Sequence, residues 1–398
     1  MSHSQDRTIS TGALIVMGVA AMMTVANIYI SQPLLPAIAA TFGTNPGQAG
    51  IVATLSQFGY ALGILFIVPL GDRVEPRTLI RVLLLIVASL LVLAAFAPSL
   101  PVLAAASLLV AMGTCIPQIV IPLAAGMVAP QRRGQVISIV QLGLISGILL
   151  SRAVSAAVGD AFGWRAVYGL FAGLMVAMFL VLPGRLPVYG RKQTTLSYAG
   201  LLTSLGPILL RFRPLRLSCL LGAAVFCAFS AFWASVVFKL QAAPISLSLT
   251  AVGGFALLSD VAALASPLVG TLSDRLGATR VNLLSLAAAA LGLGLAWLGA
   301  NSFWALVAAG NLLAFALQSG QIANQTRIMN LDEGARSRLN TIYMVCNFAG
   351  GAFGTTAGLA AWGHEGWSAV CLVGAGPITL GLIVLAWSAN RDSRPHYP

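Results

Sequence analysis

The chain has 398 residues, of which 22 are Lys or Arg and 10 are Asp or Glu, so 8% are charged where a soluble domain has roughly 25%. Apolar residues make up 58% and mean hydropathy is +0.92. This excludes soluble, fibrous, disordered and disulfide-stapled classes, and continuous rather than alternating apolar runs exclude an outer-membrane barrel, leaving an all-α polytopic membrane protein.

Punctuation by Pro, Gly and charge predicts twelve transmembrane helices, at 11–40, 46–70, 78–97, 101–129, 134–159, 164–183, 214–240, 248–272, 278–299, 302–329, 337–362 and 365–388. The longer ones imply tilt or bending. Met1 to Ser10 is polar and the first apolar run is too long for a signal-peptide core, so no cleavable signal is expected. With the N-terminus inside, 19 of the 22 Lys and Arg fall in inner segments, leaving Arg152, Arg165 and Lys239. That asymmetry predicts cytoplasmic N- and C-termini in an inner membrane. The basic balance then serves topology and anionic lipid, not nucleic acid.

In chain order, the first span carries Asn27, Tyr29, Ser31 and Gln32, followed by Pro33 and Pro36. Amides are costly in hydrocarbon unless they are paired or face water, and the prolines allow bending. Cavity lining is one reading of Asn27, Tyr29 and Gln32; polar contact between helices is the other. Span four offers Pro117, Gln118 and Pro122. The connector 184–213 reads as an amphipathic cytoplasmic helix lying on the leaflet. Span seven has Phe226, Phe229, Phe232 and Trp233, which suit either ligand contact or ordinary packing. In span ten, Gln318, Gln321 and Gln325 share one helix face, a polar stripe expected to line the substrate cavity, with Arg327 near the inner end. Span eleven adds Tyr343 and Asn347 to the expected cavity lining, with Arg327, Arg336 and Arg338 below as an inner gate. Lys239, Asp160, His364 and Glu365 fall near the outer ends and are expected to be solvated. The five cysteines all lie in apolar stretches and read as small buried hydrophobes.

A shift of about 202 to 203 residues superimposes the halves. It carries Asp72-Arg73 onto Asp274-Arg275, Gln118 onto Gln321, Arg133 onto Arg336, Gly147 onto Gly350 and Gly163-Trp164 onto Gly366-Trp367. This predicts a six-plus-six duplication, with bundles at 1–183 and 214–398 around a central cavity. Gln118 and Gln321 would then face each other across it.

After span eight stands "GTLSDRLGATR", Gly270 to Arg280. It resembles the G-x-x-x-D-R-x-G-R-[RK] loop of the major facilitator superfamily at Gly270, Asp274, Arg275, Gly277 and Arg280. The first-half copy, "VPLGDRVEPR", keeps Asp72, Arg73 and Arg77 but has Val68 and Glu75 where the pattern has glycine. With "NIYISQPLLPAIAATFG" and "IANQTRIMNLDEGARSRLNTIYM", the chain is similar throughout to bacterial drug and sugar efflux permeases of the arabinose-efflux-like, drug:proton antiporter type. The likeness implies that these six acidic and basic loop residues form conformational switches. It departs in span four, where Leu109 stands four residues before Gly113. It departs again in span five, where Gly143 and Gly147 persist without the following proline. The proton mechanism is therefore not carried over.

Asp260 and Arg152 are the two ionisable residues deep inside spans, and such residues are functional candidates by default. In the resembled fold, spans five and eight face each other, so the pair is expected to close the outer side. Protonation of Asp260 would then weaken the closure and couple transport to H⁺. A static ion pair, or an arginine snorkelling to the interface, is the plainer reading.

The chain has no P-loop, no zinc-type cluster and no nucleophile–His–carboxylate set. No cofactor or enzymatic activity is expected. The function expected is proton-coupled efflux of small organic molecules by a monomer. A nutrient importer, facilitator or exchanger of the same fold is the alternative, and a lipid flippase or sensor the remote one. Amides, a tyrosine and aromatics suit a neutral or weakly polar substrate.

Overall fold

A computed structural model describes residues 11–128, 132–185, 197–262 and 275–392. These residues form helices and connecting turns, with no strand among them. The first half contains α1 (Thr11–Ala26), α2 (Leu35–Phe42), α3 (Pro46–Ala49), α4 (Ile51–Phe66), α5 (Pro76–Ala95), α6 (Leu100–Gly113), α7 (Ile116–Gly126), α8 (Arg133–Phe162) and α9 (Trp164–Arg185). The second contains α12 (Arg213–Gln241), α13 (Leu249–Ser259), α14 (Ala278–Leu298), α15 (Phe303–Met329), α16 (Arg336–Glu365) and α17 (Trp367–Asp392). Two short helices, α10 (Tyr198–Thr203) and α11 (Leu205–Arg211), lie between the halves.

Local sequence sets the helix ends. Asn45 and Gln48 form a reciprocal capping box at α3, and Glu75 accepts from the first amides of α5. Gly163 and Gly366 both take positive φ, +81° and +78°, which turns the chain directly into Trp164 and Trp367. These repeat mates thus share one backbone conformation.

Expected spans one and four are broken near prolines rather than continuous. The first unwinds over residues 27–31 and passes through a 3₁₀ turn at Gln32–Leu34 before α2. The fourth breaks at Thr114 and Cys115, between α6 and α7. Pro33, Pro36 and Pro117 explain both breaks, because each lacks an N–H and its ring clashes with the carbonyl four residues back. The expected amphipathic connector is two short helices with no fully buried residue; residues 186–196 lie outside the described set. The Tyr198 hydroxyl donates to the carbonyl of Phe66 at 2.8 Å, fastening the connector to α4.

Nine helical stretches among the described residues are long and apolar enough to cross a membrane. The shorter apolar helices α1 and α13 and the 30-residue α16 lie beside them. The chain is a multi-pass membrane protein built in two halves. One buried cluster lies mainly in the first half, around Leu84, Val87, Leu103 and Phe171, and takes in Ala234, Leu249 and Leu359 from the second. The other fills the second half around Phe226, Leu286 and Leu313, and draws in Tyr29, Tyr60, Ile145 and Leu149 from the first.

Most of the basic residues, from Arg73 and Arg77 to Arg336 and Arg338, lie at one end of the helices, here termed the basic face. The halves meet towards the opposite face. There α4 packs on α16, and Thr54 and Thr356 share a hydroxyl hydrogen bond of 2.9 Å. On the other side α8 packs on α13, with Gly253 against Ala153 and Ala156, and Asp160 accepts from the Thr250 hydroxyl at 2.5 Å. Lys239 differs from expectation. It is buried, not solvated, because Asn301 accepts from its ammonium at 3.0 Å.

Candidate functional site

The break in the first span builds the site. By unwinding at 27–31 the chain turns Tyr29 and Gln32 towards α8 instead of carrying both along a straight helix. Gln32 accepts from Arg152 Nε at 2.9 Å. The guanidinium carbon lies 4.1 Å from the Trp233 ring centroid, 5.1 Å from that of Tyr29 and 5.6 Å from that of Phe229. On its remaining side Arg152 Nη1 pairs with Asp260 Oδ2. Both residues are only 2% exposed.

Asp260 does not sit mid-helix as the sequence suggested; it is the residue at which α13 ends. Asn311 of α15 holds the backbone around it, accepting from the amide of Ala262 at 3.0 Å and donating to the carbonyl of Leu258 at 2.7 Å. The ion pair therefore bridges the halves, with Arg152 anchored in the first by Gln32 and Asp260 carried by the second. Asp260 Oδ1, Arg152 Nη2 and Trp233 Nε1 make no hydrogen bond among the described residues. Buried polar atoms left this way have unspent capacity to bind.

A pocket of about 330 Å³, including its open mouth, adjoins the pair and is lined by Tyr29, Leu149, Phe229, Asp260, Leu317 and Gln318 among others. Of the sequence candidates, Tyr29, Gln32, Arg152, Trp233, Asp260 and Gln318 converge here. Gln321 is half-buried one turn further along α15. Gln118 lies elsewhere, donating to the Tyr60 hydroxyl at 3.3 Å, where Tyr60 packs on Phe348 with centroids 4.6 Å apart and ring planes tilted by 56°. Asn27 turns away towards α9, donating to the Thr24 carbonyl at 3.1 Å and to the Met175 sulfur at 3.5 Å.

Tyr343 and Asn347 pack on Gly222 of α12, where an added Cβ would come within 2.9 Å of the tyrosine hydroxyl and 3.0 Å of the amide oxygen. Gln325 donates to Asn340 at 3.3 Å. Arg327 donates to Ser218 and Asn324 at 3.2 Å. Arg336 binds the Met329 carbonyl and Glu333, both at 2.9 Å, while Arg338 binds the Gly334 carbonyl at 3.3 Å. The last two contacts are local ones at the start of α16.

Asp72 closes a 3₁₀ turn at Val68–Asp72 on the basic face, with Arg73 and Arg77 half-buried beside it. Arg275 and Arg280 are exposed at the start of α14, and Asp274 lies outside the described residues.

Sequence reasoning missed Gln57. Its amide donates to the Ser230 hydroxyl at 3.3 Å across the halves, on the α4 side. The repeat offset of 203 places Gln57 on Asp260 and Arg152 on Thr355, so the duplication itself carried the signal. No group of three or more His, Cys, Asp or Glu gathers among the described residues.

A pocket beside a charged pair that spans the two halves of a multi-pass helical bundle is the arrangement of a membrane transporter. The chain belongs to the Major Facilitator Superfamily, whose profile matches residues 17–258 and 217–398. It is 35% identical over 383 residues to "Uncharacterized transporter YgaY" of Escherichia coli O157:H7, covering 96% of both chains. It is 36% identical over 370 residues to "Probable transporter SCO4007" of Streptomyces coelicolor, covering 92% of this chain and 84% of that one. Among solved structures, a bacterial homolog of the human lysosomal transporter Spinster superimposes with a TM-score of 0.67 at 15% identity, covering 97% and 95% of the two chains. The peptide transporter POT in complex with sulfate gives 0.73 at 15%, covering 95% and 94%. At that identity the likeness is one of fold.

Proposed function

We propose that the protein is a proton-coupled exporter of small organic molecules that works by alternating access as a monomer. In this reading twelve spans form six-helix bundles at 1–183 and 214–398, joined by the connector 184–213. The basic face is cytoplasmic, both termini lie inside, and the membrane is the inner one. The chain is then closed outward, with its pocket reached from the cytoplasm.

The observation that carries the reading is the Arg152–Asp260 pair, buried between the halves beside the pocket. Arg152 keeps Gln32 and three ring faces when Asp260 becomes neutral. A proton on Asp260 removes the charge attraction that holds α13 to α8, and the outer seam loosens. Substrate leaves outward as the proton enters, and loss of the proton to the cytoplasm restores the pair. The pocket's single carboxylate is already matched by a guanidinium, which favours a neutral or weakly polar substrate over a strong cation.

The test is proton flux in liposomes under an imposed pH gradient, across a panel of sugars and antibiotics, comparing wild type with Asp260→Asn. Substrate-dependent proton movement that disappears in the variant is expected. Substrate movement indifferent to both the gradient and Asp260 would replace this reading with a facilitator or exchanger.

A further inference from the structure

The packing of α12 against α16 sets two thiols opposite each other. The helices run side by side in the same direction, and α16 approaches through a glycine seam. A Cβ added at Gly350, Gly354 or Gly358 would lie 2.4, 2.1 and 2.8 Å from backbone atoms of Ala223, Cys227 and Ala231. Each pair is separated by the same 127 residues, so the register is fixed over successive turns. One turn nearer the basic face, that register pairs Cys346 with Cys219. That register sets the two free thiols opposite each other, Cys219 buried and Cys346 half-buried. The repeat mate of Cys346 is Gly143, where an added Cβ would lie 2.2 Å from the Gly18 carbonyl oxygen. The second half has exchanged a closed glycine contact for a thiol pair.

A charge approaches the same turn of α12. Arg327 reaches from α15 to Ser218, the chain neighbour of Cys219, and also to Asn324 and Thr279, at 3.2, 3.2 and 3.5 Å. All three acceptors are neutral, and no carboxylate forms an ion pair with Arg327 among the described residues. Among the described residues this half-buried guanidinium has only neutral partners, which leaves its positive charge available to an anion.

We infer that Cys219 and Cys346 form a binding site for one soft monovalent d¹⁰ cation, Cu(I) or Ag(I), held between two thiolates. Thiolates select such ions over harder ones. On binding, each thiol gives its proton to solvent, and the cation with two thiolates carries one negative charge, which Arg327 balances. Structural zinc takes four ligands, and two thiols without a third His, Cys, Asp or Glu do not supply them. Occupancy fastens α16 to α12, the helix that carries Phe229 and Trp233.

The full-length protein in detergent, in chloride-free buffer, would be incubated with silver nitrate and desalted through a monothiol competitor, and retained silver counted by elemental mass spectrometry. One silver per chain is expected in wild type and in Cys227→Ser. None above background is expected in Cys219→Ser or Cys346→Ser. Arg327→Gln should weaken retention by about 10–100-fold, as loss of an outer partner does. Unchanged retention in the two serine variants, or equal loss in Cys227→Ser, overturns the assignment. A second measurement needs no variant: dibromobimane, which bridges neighbouring thiols, is applied to wild type before proteolysis. A joined peptide pair containing Cys219 and Cys346 is expected; a bridge between other cysteines, or none, refutes the site.

Discussion

Replacing Arg152 by Gln should open the face that α8 and α13 hold shut, and should do so more than replacing Asp260 by Asn. The structure sets the order. Asp260 has Arg152 as its charge partner, whereas Arg152 also has Gln32 and the rings of Trp233, Tyr29 and Phe229. Removing the arginine leaves a buried carboxylate uncompensated, at a cost of about 3–5 kcal/mol. Asp260→Asn leaves the guanidinium its amide and its rings, each ring worth about 0.5–2 kcal/mol, so the loss falls to about 1–3 kcal/mol. At about 1.4 kcal/mol per tenfold, the closed-to-open ratio falls about 100–4,000-fold in the first case and about 5–100-fold in the second. The double variant, with both charges gone, should lie closer to wild type than Arg152→Gln does.

The reporter is Ala156→Cys, fully buried against Gly253 in the closed seam. Its labelling by a membrane-impermeant maleimide reads how often the face opens. Rates that do not differ between the three variants and their parent, or a faster rate in Asp260→Asn than in Arg152→Gln, would refute the reasoning.

Thr54→Cys with Thr356→Cys should form a disulfide that locks the same face, because the two hydroxyls are 2.9 Å apart; transport should stop on oxidation and return on reduction. Gly59→Ala should destabilise by about 1–3 kcal/mol through overpacking, read as a fall in the melting midpoint, since its Cβ would lie 2.2 Å from the Leu108 carbonyl oxygen. Gly169→Ala, with nothing within 4 Å, should be neutral or slightly stabilising. Trp233→Leu should weaken the hold on Arg152 by about 1–2 kcal/mol and raise Ala156→Cys labelling, as it removes the nearest ring face.

The two charged residues were legible in the sequence because charge in a dry segment is rare enough to stand out by itself. The repeat was legible for a similar reason: Gly163-Trp164 and Gly366-Trp367 are turns with one backbone solution, and they keep their chemistry. Gln32 as the partner of Arg152 was not legible. It lies 120 residues away, and its direction depends on an unwound segment that apolar periodicity reads as straight helix. Asn27, which carries the same carboxamide in the same span, turns the other way for that reason. Lys239 misled because an end-of-helix lysine is usually wet, and Asn301, which dries it, comes from a distant turn.

The two contacts between the halves differ in kind, although the duplication relates them. Gln57 and Thr355 occupy on one side the places that Asp260 and Arg152 occupy on the other, and the Gln57 side is held by neutral hydroxyl and amide bonds. In the proposed cycle a proton acts on one edge of the closure only. The barrier would then part like a door, unlatched along α8 and α13 and hinged along α4 and α16, its first opening a slit on the side where Asp260 meets the pocket.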